Sequence, residues 1–90
     1  MSMKLSETVE KMVSEDYKER FIAEYEQLAI RCIGLSNTLK EWDNGELNFT
    51  PTCPRSIYNI QVKAMDDYLA VLEARAVMEN IDLGTEEKYF

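Results

Sequence analysis

Five side chains have the types and spacing to hold an anionic ligand: Tyr17, Arg20, Arg55, Tyr58 and Arg75. A guanidinium presents a planar fork of donors to a phosphate, and a neighbouring tyrosine ring offers a face on which a base can stack. Tyr17 and Arg20 stand near the start of one periodic segment, with Arg31 further along it. Arg55 and Tyr58 open a second segment, and Arg75 lies on its far half beyond Tyr68. Each pairing also has an architectural reading, a tyrosine in a helical seam with an arginine stem lying along its flank. Gln61 and Arg75 fall beside an apolar stripe, where a polar group at an interface acts as a device for specificity.

Catalytic chemistry has less material. The 90 residues include 10 basic and 17 acidic groups and no histidine, which removes the commonest general base and every Ser-His or Cys-His pairing. Glu7-x-x-Glu10 and Glu79-x-x-Asp82 are similar to the metal-binding acidic pairs of all-α nucleoside triphosphate pyrophosphatases. Here the two pairs lie near opposite ends of the chain and read as solvated faces. Cys53 precedes Pro54 at a helix start, where the dipole favours a thiolate. With no histidine to serve it, a capping or packing role is expected. No catalytic residue, metal-ligand set or cofactor is assigned, and a non-enzymatic binding protein is expected.

The net charge of −7 excludes a broad basic surface for a DNA or RNA polymer or for anionic membrane. It does not exclude a small pocket lined by one or two arginines. No apolar run approaches the ~18–20 residues of a membrane helix. The first thirteen residues mix charges with apolar positions, unlike a secretory signal. If the chain folds as a hairpin, Cys53 lies level with Trp42, ~15 Å along the axis from Cys32. A disulfide spans only about 4.4–6.8 Å between Cα atoms, so free thiols in a reducing cytosol are expected.

The elements that must position these groups are helical. Phe21, Tyr25, Leu28, Cys32, Leu35, Leu39 and Trp42 alternate four and three apart, the seam of a helix over about residues 15–43. Ile22, Ala29 and Ile33 widen that stripe towards a further neighbour. Ser14 is the expected N-cap, and Asp16 and Arg20 form a favourable (i, i+4) pair. Gly34 weakens the helix unless it permits a close approach. Asp43-Asn44-Gly45 stops it, and Leu47 and Phe49 are expected to plug the end of the helical pair.

Pro51 and Pro54 delay the second helix, about residues 54–80, which Thr52 or Cys53 is expected to cap. Tyr58, Val62, Met65, Leu69, Leu72 and Ala76 form its seam. Ile57, Ala64, Tyr68 and Val71 form a second stripe that needs the N-terminal segment or another copy of the chain. Asn80 ends the helix, with Ile81 and Leu83 folding back over its last turn. Leu5, Val9, Met12 and Val13 fit a short helix capped by Ser6. The expectation is one all-α domain over residues 1–90. It comprises a short helix or arm (1–13), an antiparallel two-helix hairpin (14–83) and a frayed tail (84–90), assembled as a homo-oligomeric bundle. Across the hairpin, Leu39 should face the region of Ile57, Leu28 that of Tyr68, and Phe21 that of Arg75 and Ala76.

Several segments carry a resemblance: Tyr17-Lys18-Glu19-Arg20-Phe21-Ile22-Ala23-Glu24-Tyr25, then Trp42-x-x-Gly45-x-Leu47-x-Phe49-x-Pro51-Thr52-Cys53-Pro54. Gln61-x-x-x-Met65-x-x-Tyr68-x-x-x-Leu72-Glu73-x-Arg75-Ala76 follows. Over about residues 14–83 these resemble a family of small helical-hairpin proteins of tailed phages and prophages, related to a protein of a crAss-like phage. The resemblance implies phage origin and the host bacterial cytosol, and no activity. The architecture is also similar to phage sponges that sequester cyclic oligonucleotides of bacterial immunity in pockets between protomers; no residue carries over from them. Two functions follow as expectations: an oligomeric sponge for a host cyclic nucleotide, or an adaptor that inhibits a host protein through an acidic helical surface.

Overall fold

A computed structural model describes residues 4–84. All regular structure among them is helical: a 3-10 turn, Leu5–Thr8, runs into α1, Val9–Met12; α2 is Tyr17–Asp43 and α3 is Arg55–Met78. The molecule measures 43 × 24 × 23 Å, and its long dimension is about that of α2 at 1.5 Å per residue. The expected fold class is therefore the observed one, with no strand among the described residues.

The two long helices pair through the seams read from the sequence. Phe21, Tyr25, Ala29 and Cys32 of α2 close on Leu69, Leu72 and Ala76 of α3, with Ile22, Leu28, Ile33 and Met65 packed around them. The register follows the expected one: the Arg75 guanidinium lies over Phe21, Tyr68 reaches Glu24, and Cys32 lies 3.4 Å from Asp66. Both cysteines are free, Cys32 buried and Cys53 exposed. Burial, then the Asp66 carboxylate, pushes the Cys32 thiol up from its usual value.

Both long helices end in the same device. Gly45 (φ 73°) lets Glu46 donate to Glu41 O at 2.8 Å and Gly45 donate to Trp42 O at 3.0 Å. Asn80 (φ 56°) lets Ile81 donate to Ala76 O at 2.8 Å and Asn80 donate to Val77 O at 3.4 Å. Each is a Schellman closure, satisfying carbonyls that the helix leaves without partners. The second one folds Ile81 into the core and Leu83 against it, as expected.

The helix starts differ from expectation. Asp16, not Ser14, caps α2 by accepting from Lys18 N at 2.9 Å, because its extended backbone aims the short carboxylate at the first turn. Arg20 turns to the Ser14 carbonyl at 2.7 Å instead of pairing with Asp16. Pro54 occupies the N-cap position of α3 with no side-chain cap, so neither Thr52 nor Cys53 has that role. Lys4, not Ser6, precedes the first helical turn, its N–H donating to Glu7 at 2.9 Å. Leu47 is half-buried, but Phe49 is exposed and does not plug the hairpin end. The frayed tail expected over 84–90 lies outside the described residues, Gly84 excepted.

The N-terminal segment lies on α2 and leaves α3 untouched. Thr8 is fully buried and accepts from Gln27 Nε2 at 3.1 Å; Met12 also meets Gln27. Lys11 Nζ lies 3.1 and 3.3 Å from the two oxygens of Glu26, whose side chain is 1% exposed. α2 thus has the further neighbour that was expected, but meets it at Glu26 and Gln27, while Ile22, Ala29 and Ile33 of the wide stripe belong to the core shared with α3. In the second stripe of α3, Tyr68 reaches back to Glu24 of α2, while Ile57, Ala64 and Val71 stand exposed, uncovered by the N-terminal segment among the described residues.

Candidate functional site

Four of the five candidate residues, Tyr17 with Arg75 and Arg55 with Tyr58, fall into two clusters at opposite ends of the hairpin. Arg55 and Arg75 are about 30 Å apart along α3. A nucleotide-sized ligand on one protomer meets one cluster or the other.

The first cluster sits where α2 begins and α3 ends. The Asp16 cap makes Tyr17 the first helical residue, and the closure at Asn80 sets Glu79 at the opposite helix end. The Tyr17 hydroxyl donates to Glu79 Oε1 at 2.8 Å and accepts from Arg75 Nη2 at 2.7 Å. Arg75 Nε donates to Glu79 Oε2 at 3.2 Å. Its guanidinium carbon lies 4.8 Å from the Phe21 ring centroid, within cation–π range. The Tyr17 and Phe21 rings are tilted at 57°, with centroids 6.3 Å apart.

Electrostatics follow from these bonds. The Tyr17 hydroxyl, and behind it Arg75, hold the Glu79 carboxyl below its usual range against an opposing desolvation effect. The bond to Glu79 pushes the Tyr17 phenol above its ordinary 10.0, and partial burial adds to it. Tyr68 is raised likewise, first by Glu24. Across the hairpin Tyr25 donates to Glu73 at 2.8 Å. Three tyrosine–glutamate bonds thus clip the two helices together.

The second cluster sits beside the Gly45 turn. Arg55 Nε and Nη2 reach the two oxygens of Asp43 at 3.2 and 3.1 Å, a bidentate pair, and Nη1 reaches Asn59. The guanidinium is 5.9 Å from the Trp42 ring, which meets Tyr58 edge-on at 5.8 Å and 72°. Partial burial, then the neighbouring Cys53, raises the Tyr58 phenol. A cleft of about 230 Å³ between the long helices adds Lys40 to this group.

The structure thus brings Tyr17 to Arg75 and sets Arg55 and Tyr58 around Trp42; Arg20 joins neither cluster. Arg75 and Arg55 each hold a carboxylate already, so a phosphate entering either cluster exchanges with Glu79 or Asp43. Phe21, Trp42 and Asp43 complete the clusters without having been singled out for chemistry in the sequence, and Glu79, weighed there only as half of an acidic pair, joins the first. The hairpin register already set Phe21 opposite Arg75 and Trp42 level with Cys53, which is the signal that finds them. Gln61 is exposed and Arg75 half-buried, so neither is enclosed within the protomer.

The acidic pairs are engaged separately. Glu7 accepts from Lys4 N, Glu79 serves Tyr17 and Arg75, and Asp82 accepts from Gly84 N at 2.8 Å. Among the described residues no three His, Cys, Asp or Glu side chains stand together as a metal-binding group. Among the described residues no helix is long and apolar enough to cross a membrane.

Fold and clusters together define a helical-hairpin protein with an N-terminal clasp and an Arg/aromatic/carboxylate cluster at each end. The pattern of the Sequestin family matches residues 15–78, and the chain belongs to that family. It finds no match among curated proteins or among solved structures.

Proposed function

We propose that this chain is a phage-encoded, non-enzymatic sponge that works in the host bacterial cytosol as a homo-oligomer and sequesters a host cyclic nucleotide immune signal. The observation that carries this reading is membership of the Sequestin family across the whole hairpin, since the family's name speaks of sequestration. The clusters supply suitable chemistry. Arg75 beside Tyr17 and Phe21, and Arg55 beside Trp42 and Tyr58, each combine a guanidinium for phosphate with aromatic faces for a base. Arg20 stands close in sequence to Tyr17, and its guanidinium pairs with no carboxylate among the described residues.

The test is thermal stabilisation of the purified chain by a panel of cyclic di- and trinucleotides and cyclic ADP-ribose isomers, with native mass spectrometry of retained small molecules. A ligand that binds only the folded state raises the melting temperature with concentration. The shift is expected to fall in Arg20→Ala, Arg55→Ala or Arg75→Ala. No shift across the panel at high ligand concentration overturns the reading.

The net charge of −7 favours a second reading, an adaptor or inhibitor whose acidic surface meets a basic host protein. It is tested by salt-sensitive capture of one specific host protein, with charge reversal of Glu or Asp abolishing the capture.

A further inference from the structure

The outer face of α3 carries a heptad seam that nothing among the described residues covers. Ile57, Ile60, Ala64, Asp67, Val71, Ala74 and Met78 alternate three and four apart over three heptads, and every one is exposed. Ile60 is 66% exposed, Val71 55% and Met78 74%. This seam lies on the side of α3 away from Leu69, Leu72 and Ala76, and the N-terminal segment packs on α2 instead. A groove of about 450 Å³ runs along it past Asn59, Ile60, Lys63, Ala64 and Asp67.

We infer that this seam is a two-fold interface on which α3 of a second copy lies antiparallel. Three observations choose that occupant. The face is locally neutral, its charges being Lys63 and Asp67 at 3.1 Å, whereas the chain as a whole is strongly acidic. A basic partner finds no acidic patch here, and a second copy meets no like-charge repulsion.

Side-chain sizes are also self-complementary. Antiparallel pairing of alternate seam positions sets Ile57 against the partner's Ala74, Ile60 against the partner's Val71, and Ala64 against the partner's Asp67. Ile57 thereby meets a small residue, Ile60 meets a branched apolar one, and the paired stretch from Ile57 to Ala74 covers ~26 Å of helix.

Asp67, the single charged residue in the seam, chooses the orientation. Parallel pairing stacks Asp67 on the partner's Asp67. Antiparallel pairing places it beside the partner's Lys63, so that each Lys63–Asp67 pair serves both protomers. A lone polar group in a seam fixes register and partner number in this way, at some cost in stability.

This names the interface of the proposed homo-oligomer and is independent of what ligand, if any, the protein holds. Light scattering and sedimentation of the full chain without ligand should give twice its 10.5 kDa mass. Ile60→Glu or Val71→Glu should give a monomer with unchanged helical circular dichroism. Lys63→Glu and Asp67→Lys should each weaken the dimer at least tenfold, and the double exchange should restore it. In a Cys53→Ser background, Ala64→Cys mixed with Asp67→Cys should form a crossed disulfide in greater yield than either variant alone. A monomeric wild-type chain overturns both this interface and the oligomeric part of the proposed function. A dimer indifferent to Val71→Glu, or one in which Ala64→Cys cross-links best with itself, overturns this interface alone. A ligand shift that survives in a monomeric Val71→Glu variant leaves the interface standing and assigns the ligand to single protomers.

Discussion

The guanidinium of Arg75 lies 4.8 Å from the ring of Phe21, a contact that ties the last turn of α3 to the first turns of α2. Tyr17 and Glu79 hold it there through hydrogen bonds of 2.7 and 3.2 Å. Arg75→Ala removes the cation over the ring and leaves Glu79 bonded to Tyr17 alone. A lower denaturant midpoint than that of wild type is expected by denaturant titration. Arg75→Lys should recover only part of the difference, because an ammonium cannot reach both Tyr17 and Glu79 with the guanidinium's planar fork.

The same cluster sets a pH dependence. Glu79 has a lowered value in the folded chain, so its contribution is fully present above the ordinary 4.5 and is lost as pH falls through the lowered value. Tyr17 has a raised value, so its contribution is present below the ordinary 10.0 and is lost as pH rises through the raised value. Tyr17→Phe removes the hydroxyl responsible for both effects. Melting temperature plotted against pH should therefore fall less steeply at both extremes in Tyr17→Phe than in wild type. A variant curve parallel to wild type at both ends would exclude the bond from solution.

Lys11 and Glu26 hold the N-terminal clasp. Glu26 is almost fully buried, and Lys11 is a cation beside it. Lys11→Ala should cost about 1–3 kcal/mol, since a buried carboxylate loses a charged hydrogen-bond partner. The double variant Lys11→Met with Glu26→Met should lie nearer to wild type than Lys11→Ala does, because replacing both members of such a pair by apolar groups is often close to neutral. Chemical unfolding followed by circular dichroism measures all three.

Gly34 and Gly45 should respond in opposite directions. Nothing lies within 4 Å of a Cβ added at Gly34, which is exposed in the middle of α2. Gly34→Ala should therefore stabilise the chain by about 0.5–1 kcal/mol. Gly45 stands at φ 73° in the closure of α2, so Gly45→Ala should destabilise by about 1–2 kcal/mol despite the open space around it. Thermal unfolding of the two variants side by side gives the comparison.

Much of the fold was legible because a 3.5-residue repeat has one structural solution. The seams Phe21 to Trp42 and Tyr58 to Ala76 determined two long helices. The short connection through Pro51 and Pro54 made them antiparallel, which placed Phe21 opposite Arg75. The stops at Gly45 and Asn80 were legible for the same reason, since these residue types tolerate the left-handed backbone such closures require. The helix starts were harder. Ser14 and Asp16 are both competent caps, and only the bend between α1 and α2 decided which one aims at the first turn.

Spacing therefore determined the helices, because each depends on residues three or four positions apart, and the short connection between the two seams determined their antiparallel pairing and register. Tertiary structure decided what covers each face. The N-terminal segment could have lain on either long helix; Lys11 found its buried partner in Glu26 and Thr8 found Gln27, both on α2. That choice left Ile60 and Val71 of α3 exposed. It was also tertiary packing that paired Arg75 with Glu79 and Tyr17, and Arg55 with Asp43, so that the sequence's candidate ligand-binding arginines became carboxylate-bound clusters at the two ends of the hairpin. A one-dimensional repeat states that a face is apolar or charged, while the identity of its neighbour depends on the path of the whole chain.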